Sequence, residues 1–273
     1  MRLTTITSYF LLSLTPYLTL AADARIISTD ATATELLLAL NQGDNIIAVD
    51  VTSQLPVKYQ SLPQVGYHRN LSAEGLLSLQ PSLVVGSKHM GPAAVMHALT
   101  TAKIPIIQLT DARVPSQVIE NIRTLAGVLN AKDAGESMVT ELTKMLAVCQ
   151  AQPLSTEKVG FILAMDPSKL RMAGTDTAGD ALIQLLGANN VASYANYQTV
   201  SAEALLALAP TALIVASENP NDVNALLDAQ PALALTPAGR SARIIHLNAS
   251  ALVAGLSPAA ISEAARIHAL LSR

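Results

Sequence analysis

The sequence predicts an α/β protein of two lobes, each with a mainly parallel β-sheet flanked by helices, joined by a single long α-helix. Short apolar runs rich in β-branched residues alternate with helical patterns from residue 25 to residue 129, which is typical of a parallel sheet covered on both faces. A helical pattern without a Gly-Ser linker then spans 131–150, and the alternation begins again at residue 158. The 273 residues suit two domains of ordinary size.

In the first lobe the pattern predicts strands and helices in strict alternation. The predicted strands are 25–28, 46–49, 83–86 and 104–108, and the predicted helices are 35–40, 72–79, 92–101 and 116–129. A loop with Pro56, Tyr59 and Pro63 follows the second strand. We place the first lobe at residues 23–130.

A connecting helix, placed at 131–152, precedes the second lobe at 153–273. Its apolar residues fall near one face at the 3.6-residue period; they are Met138, Leu142, Met145, Leu146 and Cys149. In the second lobe the predicted strands are 158–163, 212–215 and 243–247, and the predicted helices are 178–186, 202–208, 221–229 and a last one from Pro258.

The N-terminus has the features of a secretory signal peptide. Arg2 precedes a mostly apolar run over 6–20, and Ala22-Asp23-Ala24 has the A-x-A form of a cleavage site. The run is shorter than the ~18 apolar residues that a membrane span needs. We therefore predict that residues 1–22 direct export and are removed by cleavage near Ala22 or Ala24.

The composition limits the possible partners. Hydrophobic residues make up 51% and charged residues 14%, with a net charge of −3 and scattered Lys and Arg. This balance predicts a folded chain that neither binds nucleic acid nor lies in the membrane. The single cysteine, Cys149, excludes an intramolecular disulfide and is expected to be a small buried hydrophobe.

A ten-residue block occurs once in each lobe. The segment SAEGLLSLQP begins at Ser72 and SAEALLALAP begins at Ser201, with seven of ten positions identical, and each runs into an apolar strand. A duplicated helix-strand unit explains this better than chance similarity of Ala- and Leu-rich helices. The block places Glu74 and Glu203 at equivalent positions.

The polar residues favour a binding site over an enzyme. Gly-rich phosphate loops, G-x-S-x-G and H-E-x-x-H are absent. Loops at the carboxyl ends of parallel strands are expected to face the cleft between the lobes. The candidate loops are those that follow residues 49, 86, 163 and 247, together with the turn at Tyr67. Their side chains form a cationic, methionine-bearing set: Tyr67, His68, Arg69, Lys88, His89, Met90, Met165, Lys169, Arg171, Met172 and Asn248. This set suits a large apolar ligand with anionic edges.

Tyr67 and Arg69 are the most informative pair. A tyrosine phenolate can serve as an axial ligand of haem iron, and a nearby guanidinium favours the phenolate by charge attraction. The pair alone is a weak signal, because Tyr-x-Arg is common. His68 and His89 are rival ligands, although a loop histidine is more often merely solvated.

The signal segment, ATATELLLALNQGDNIIAVD, VGYHRNLSAEGLLSLQPSLVVGS and the helical connection resemble the periplasmic haem-binding proteins of bacterial haem ABC importers. The resemblance covers essentially the mature chain, and GY-x-R-x-LS-x-EG is its most specific part. It implies two α/β lobes spanned by one helix, the class III architecture, in the periplasm. It also implies that Tyr67 is the axial haem ligand, supported by Arg69, and that haem is the transported ligand.

The same resemblance implies a partner. In importer-binding proteins, one glutamate on each lobe docks onto arginines of the permease dimer, and Glu74 and Glu203 match that pattern. An acid in the first turn of a helix also complements the helix dipole, which is the alternative explanation. We expect docking at both glutamates, by a monomer that catalyses nothing.

One departure concerns the second lobe. Some members supply a histidine near residues 163–166, where this chain has none. Met165 or Met172 could line or cap the haem, Arg171 could face it, and Tyr197 is a loose counterpart of Tyr67, four residues before Ser201. The sequence leaves open a ferric-siderophore, cobalamin or zinc and manganese carrier of the same architecture, and a two-lobed metal-dependent enzyme.

Overall fold

The structure is a computed structural model that describes residues 24–272. Its first half contains four strands and four helices. In chain order they are β1 (Ile26–Ser28), α1 (Ala31–Ala39), β2 (Ile46–Val49), α2 (Ala73–Ser78), β3 (Leu83–Ser87), α3 (Ala93–Thr101), β4 (Ile106–Leu109) and α4 (Pro115–Val128). Short 3-10 helices at Gly43–Asn45 and Val57–Tyr59 flank β2. The alternation predicted for the first lobe is confirmed.

The long helix α5 (Lys132–Ala151) leads into the second half. The elements that follow are β5 (Lys158–Leu163), β6 (Leu170–Ala173), α6 (Ala178–Leu185), β7 (Asn189–Asn190), β8 (Tyr197–Val200), α7 (Ala202–Leu208), β9 (Ala212–Ser217), α8 (Asp222–Ala229), α9 (Pro237–Arg240), β10 (Ile244–Asn248) and α10 (Pro258–Leu271), with 3-10 helices at Pro231–Leu235 and Ala249–Leu252.

Each half is organised on one sheet. The first sheet is wholly parallel, in the order β2-β1-β3-β4. The second has the order β10-β9-β5-β6-β8, in which β10, β9 and β5 are parallel and β6 runs antiparallel to both β5 and β8; β7 pairs with β5. The predicted fold class, two mainly parallel sheets joined by one long helix, is confirmed.

Sequence reasoning missed strands β6, β7 and β8. They have four, two and four residues, and β6 and β8 carry polar residues in place of a continuous apolar run. Only pairing with neighbours makes them strands, and that pairing is not written in local sequence. As a result Arg171 and Met172, which we expected in a loop, lie on β6.

Helix α1 also begins four residues earlier than predicted. Asp30 is its N-cap, and the Oδ1 atom of Asp30 accepts a hydrogen bond from the backbone N–H of Ala33 at 2.8 Å. The two threonines of the first turn lower helix propensity, so the pattern indicated only the later leucines. The cap fixes where the helix starts.

One hydrophobic core joins the halves through α5. Leu142, Leu146 and Cys149 of α5 are buried, and α5 packs against α4 and α10. The largest core cluster runs from Ile26 in the first sheet through Leu146 to Phe161 in the second. Burial of Cys149, at 2% exposed, agrees with its predicted packing role.

The halves also touch away from α5. The Oε1 atom of Glu35 on α1 accepts a hydrogen bond from the backbone N–H of Ala259 on α10 at 2.6 Å. The Leu256 N–H donates to the Ala112 carbonyl at 2.7 Å, next to Gly255 with φ of +88°. The lobes therefore meet at the helix and at this second junction.

The predicted division at residues 23–130, 131–152 and 153–273 stays a prediction. The signal segment, residues 1–22, lies outside the described residues. Among the helices of residues 24–272, none has both the length and the apolarity of a membrane span.

Candidate functional site

A cavity of about 800 Å³ lies between the two lobes. Its first-lobe side includes Tyr67, Arg69, His89 and Arg113, and its second-lobe side includes Met165, Arg171 and Tyr197. Loops at the carboxyl ends of the parallel strands supply many of these side chains, as the fold requires. The cavity therefore brings together most of the residues that the sequence analysis selected from separate loops.

Tyr67 is placed by a hydrogen-bonded turn. Gly66 has φ of +89°, which is accessible to glycine at little cost. The Val51 N–H donates to the Gly66 carbonyl at 3.1 Å, and the Asn70 N–H donates to the Tyr67 carbonyl at 2.8 Å. Tyr67 is 44% exposed. Its phenol thus lines the cavity from a backbone tied to the loop after β2.

His68 lies behind Tyr67. Its side chain is only 2% exposed, its Nδ1 atom is 3.4 Å from Oδ2 of Asp50, and its ring centroid is 4.2 Å from that of Tyr67. Asp50 is fully buried and also accepts hydrogen bonds from the hydroxyls of Thr52 and Ser53. Although His68 borders the cavity, its burial and its contact with Asp50 suit support of Tyr67 better than iron ligation.

Arg69 and His89 lie on the same side of the cavity. Arg69 is exposed, and within residues 24–272 its guanidinium makes no hydrogen bond or ion pair. The Nε2 atom of His89 lies 3.2 Å from Oδ2 of Asp111. Burial lowers the pKa of His89, and the charge of Arg69 acts in the same direction, against the raising effect of Asp111. A neutral His89 is expected at pH 7, with its Nε2 directed at Asp111.

The second lobe contributes a thioether, a cation and a phenol. Met165, in the loop after β5, is 80% exposed and lines the cavity. Arg171 lies with its Cζ atom 5.6 Å from the ring centroid of Tyr197. The Tyr197 hydroxyl is 3.4 Å from the Gly179 backbone N–H. Burial raises the pKa of Tyr197, so this phenol is a poorer source of phenolate than an exposed one.

Met172 is the clear correction among the predicted pocket residues. It is fully buried in the core of the second lobe with Ile162 and Leu170, and it does not line the cavity. Adjacent residues of a strand point to opposite faces of a sheet, so placing Arg171 at the cavity directs Met172 into the core. Lys88, Met90, Lys169 and Asn248 also lie outside the cavity lining.

Asp111 and Arg113 are cavity residues that the sequence analysis missed. They follow β4, and the Nη2 atom of Arg113 donates to Oδ2 of Asp111 at 2.7 Å. The rule that carboxyl-end loops face the cleft applies equally to the loop after β4, so applying it there would have found both residues.

The two glutamates occupy matching places. Ser72 caps α2 and Ser201 caps α7, each accepting from the backbone N–H three residues on, at 3.2 and 3.1 Å. Glu74 and Glu203 are both exposed in the first turn of these helices. After each helix comes a residue with φ of 47°, Gln80 in one block and Ala209 in the other. The repeated sequence thus has a repeated backbone path.

Comparison with known proteins gives a family match. The family model described as periplasmic binding protein matches residues 26–251. The vitamin B12-binding protein of Pectobacterium atrosepticum is 25% identical over 220 residues, 78% of this chain and 78% of that protein.

Solved structures of similar proteins cover nearly the whole chain. The periplasmic heme binding protein HutB of Vibrio cholerae is 34% identical with a TM-score of 0.83, covering 92% of this chain and 100% of that one. A periplasmic heme binding protein of Pseudomonas aeruginosa is 31% identical with a TM-score of 0.78, covering 91% and 92%.

Proposed function

Because this chain belongs to the periplasmic binding protein family, we propose that it captures haem through Tyr67 and delivers it to the permease of an ABC importer. The observation that carries the proposal is the exposed Tyr67 at a two-lobed cavity, two residues from Arg69, whose guanidinium is unpaired within residues 24–272. A phenolate is an established haem-iron ligand, and Arg69 stabilises it by charge attraction. Similarity to two heme-binding proteins above 30% identity supports the same ligand.

A cobalamin carrier is the second candidate, because several relatives are named vitamin B12-binding proteins. The arginines of the cavity favour haem, although the carboxylates of Asp111, Asp176, Glu218 and Asp222 also line it. Arg69, Arg113 and Arg171 all line it, and haem carries propionate carboxylates at one edge, whereas the side chains of cobalamin end largely in amides. Cobalamin offers one phosphodiester anion, whereas haem offers two propionates, so haem can pair with more of these guanidiniums in a partly desolvated site.

No observation favours the other carriers. Across residues 24–272, no three His, Cys, Asp or Glu side chains converge as a metal site, so a zinc or manganese carrier has no support. The cavity holds few aromatic side chains, which a ferric siderophore would be expected to use.

The direct test is to titrate the mature chain with haemin and, separately, with cyanocobalamin. We expect a high-spin ferric, phenolate-type absorption spectrum with haemin and weaker binding of cyanocobalamin. Tyr67→Phe should weaken or abolish the haemin spectrum. Tyr59→Phe is the matched control, because the Tyr59 hydroxyl contacts Asp44 outside the cavity. An unchanged spectrum in Tyr67→Phe, or tighter binding of cyanocobalamin, would overturn the proposal.

Delivery would use Glu74 and Glu203 as the contacts with the permease dimer. Both are exposed, and neither makes an ion pair within residues 24–272. Removal of residues 1–22 on export would place the mature protein in the periplasm, where we propose that it works as a monomer.

A further inference from the structure

Two arginines reach the cavity from opposite lobes near one tyrosine. Arg113 follows β4 in the first lobe, and Arg171 lies on β6 in the second; both line the cavity beside Tyr197. Arg171 lies over the Tyr197 ring at 5.6 Å. The charges of Arg113 and Arg171 both act to lower the pKa of Tyr197, against the larger raising effect of burial. Two positive charges therefore act on the same hydroxyl.

Arg113 is held in place but incompletely paired. Its Nη2 atom donates to Oδ2 of Asp111 at 2.7 Å, while its Nη1 atom is buried and has no partner in the described part of the chain. Asp111 is 5% exposed, and its Oδ2 atom also lies 3.7 Å from the Lys88 ammonium and 3.2 Å from Nε2 of His89. Two cations, Arg113 and Lys88, therefore share one carboxylate. Buried polar atoms without a partner are rare in native proteins. The Arg113 side chain is nevertheless 38% exposed and lines the cavity, so its accessible N–H donors can take an acceptor that arrives with a ligand.

Arg171 is less constrained by partners. Its backbone is fixed by pairing with Leu163 of β5 and Thr199 of β8. Among the described residues its guanidinium makes no hydrogen bond and no ion pair, and the side chain is exposed towards the cavity. The cation–π contact of Arg171 with the Tyr197 ring leaves its N–H donors unused. These donors remain available for an anion.

We propose that Arg113 and Arg171 bind one carboxylate of the ligand between them, bridging the two lobes at Tyr197. Guanidinium and carboxylate groups match in geometry, and hydrogen bonds between two charged groups are stronger than neutral ones. The inference rests on the proposed function, since the carboxylate would be a haem propionate. It adds that the site selects tetrapyrroles with a free carboxylate, and that one contact links ligand capture to both lobes.

The test compares haemin with haemin dimethyl ester, in which both carboxylates are masked, by titration in the same detergent buffer. The variants are Arg113→Gln, Arg171→Gln and their double mutant. Arg123→Gln is the control, because Arg123 is an exposed arginine paired with Glu136 on α4 and α5, away from the cavity. If Arg113→Gln folds poorly, Arg113→Lys takes its place, because it keeps the positive charge beside Asp111.

We expect the natural chain and Arg123→Gln to bind haemin about 10- to 100-fold more tightly than the ester. Each glutamine variant should lose most of that preference, and the double mutant should lose little more than either single one, because both arginines share one carboxylate. Arg113→Lys should keep part of it. Equal binding of haemin and ester by the natural chain, a full preference in Arg171→Gln, or additive losses would overturn the inference. A phenolate-type spectrum in any of those cases would leave the role of Tyr67 intact.

Discussion

The Nδ1 atom of His68 lies 3.4 Å from Oδ2 of Asp50; both side chains are buried, and the His68 ring lies against that of Tyr67. Asp50 also accepts a hydrogen bond from the Thr52 N–H at 3.1 Å and one from the Ser53 hydroxyl at 2.8 Å. The carboxylate therefore ties the loop after β2 to the turn that carries Tyr67. The histidine connects that buried carboxylate to the ring proposed to bind iron.

We predict that His68→Leu, which keeps bulk but removes the contact with Asp50, lowers haemin affinity by about tenfold without removing the phenolate-type spectrum. A lost hydrogen bond to a buried charged group accounts for an effect of that size. His97→Leu is the control, because His97 is exposed on α3 outside the cavity. Loss of the phenolate signature in His68→Leu would instead assign His68 to the iron.

Met165→Ala tests the second-lobe side of the site. Met165 is 80% exposed and lines the cavity, so bound haem would bury apolar surface of its side chain. Fully burying a methionine contributes about 1.5–3 kcal/mol, of which the alanine variant loses part. We therefore expect a roughly tenfold weaker haemin affinity in a binding titration.

His89→Gln should leave the iron spectrum unchanged, since the Nε2 atom of His89 is directed at Asp111. A changed spectrum in that variant would contradict this assignment.

Glu35 predicts a pH dependence of stability. Burial raises its pKa from 4.5 to about 7, against the lowering hydrogen bonds from Ser257 and Ala259. The folded state therefore binds a proton that the unfolded state has released between about pH 4.5 and 7. Stability should fall as pH rises through that window, by about 3 kcal/mol at most.

Glu35→Gln keeps an oxygen that can accept from Ala259 but removes the titration, so it should flatten this slope. Urea unfolding at pH 5 and pH 7 measures the change in the free energy of unfolding, with Glu141→Gln, at an exposed position, as control. Burial also raises the pKa of Asp30, but Asp30 is present in the natural chain and in both variants. The difference in pH slope between Glu35→Gln and the natural chain therefore isolates Glu35. Identical slopes in Glu35→Gln and the natural chain would refute the assignment.

Charge reversal at the repeated glutamates tests docking. Glu74→Lys with Glu203→Lys should spare haemin affinity, because neither residue lines the cavity, yet reduce haem transfer to the permease reconstituted in vesicles. Glu120→Lys with Glu141→Lys, at exposed positions of α4 and α5 outside the cavity, controls for the same change in net charge. Transfer by the double variant equal to that of this control would remove the docking role.

Local sequence was enough to predict much of the fold. Continuous apolar runs such as Leu83–Ser87 and Ala212–Ser217 form the central strands, because a strand buried on both faces must be apolar throughout. The repeated helices that begin at Ser72 and Ser201 could also be predicted, because a helix cap depends on neighbouring residues. Strand β6 was missed because its conformation depends on pairing with β5 and β8.

The sequence by itself determined the two-lobed class, the connecting helix and the Tyr67-to-Glu74 segment, since periodicity, capping and spacing are properties of neighbouring residues. Only the tertiary structure decided which side chains meet. It buried His68 against Asp50, directed Met172 into the core, and brought Arg113 and Arg171 from opposite lobes towards Tyr197. Strand register and lobe packing set those positions, and both depend on contacts between residues far apart in the chain.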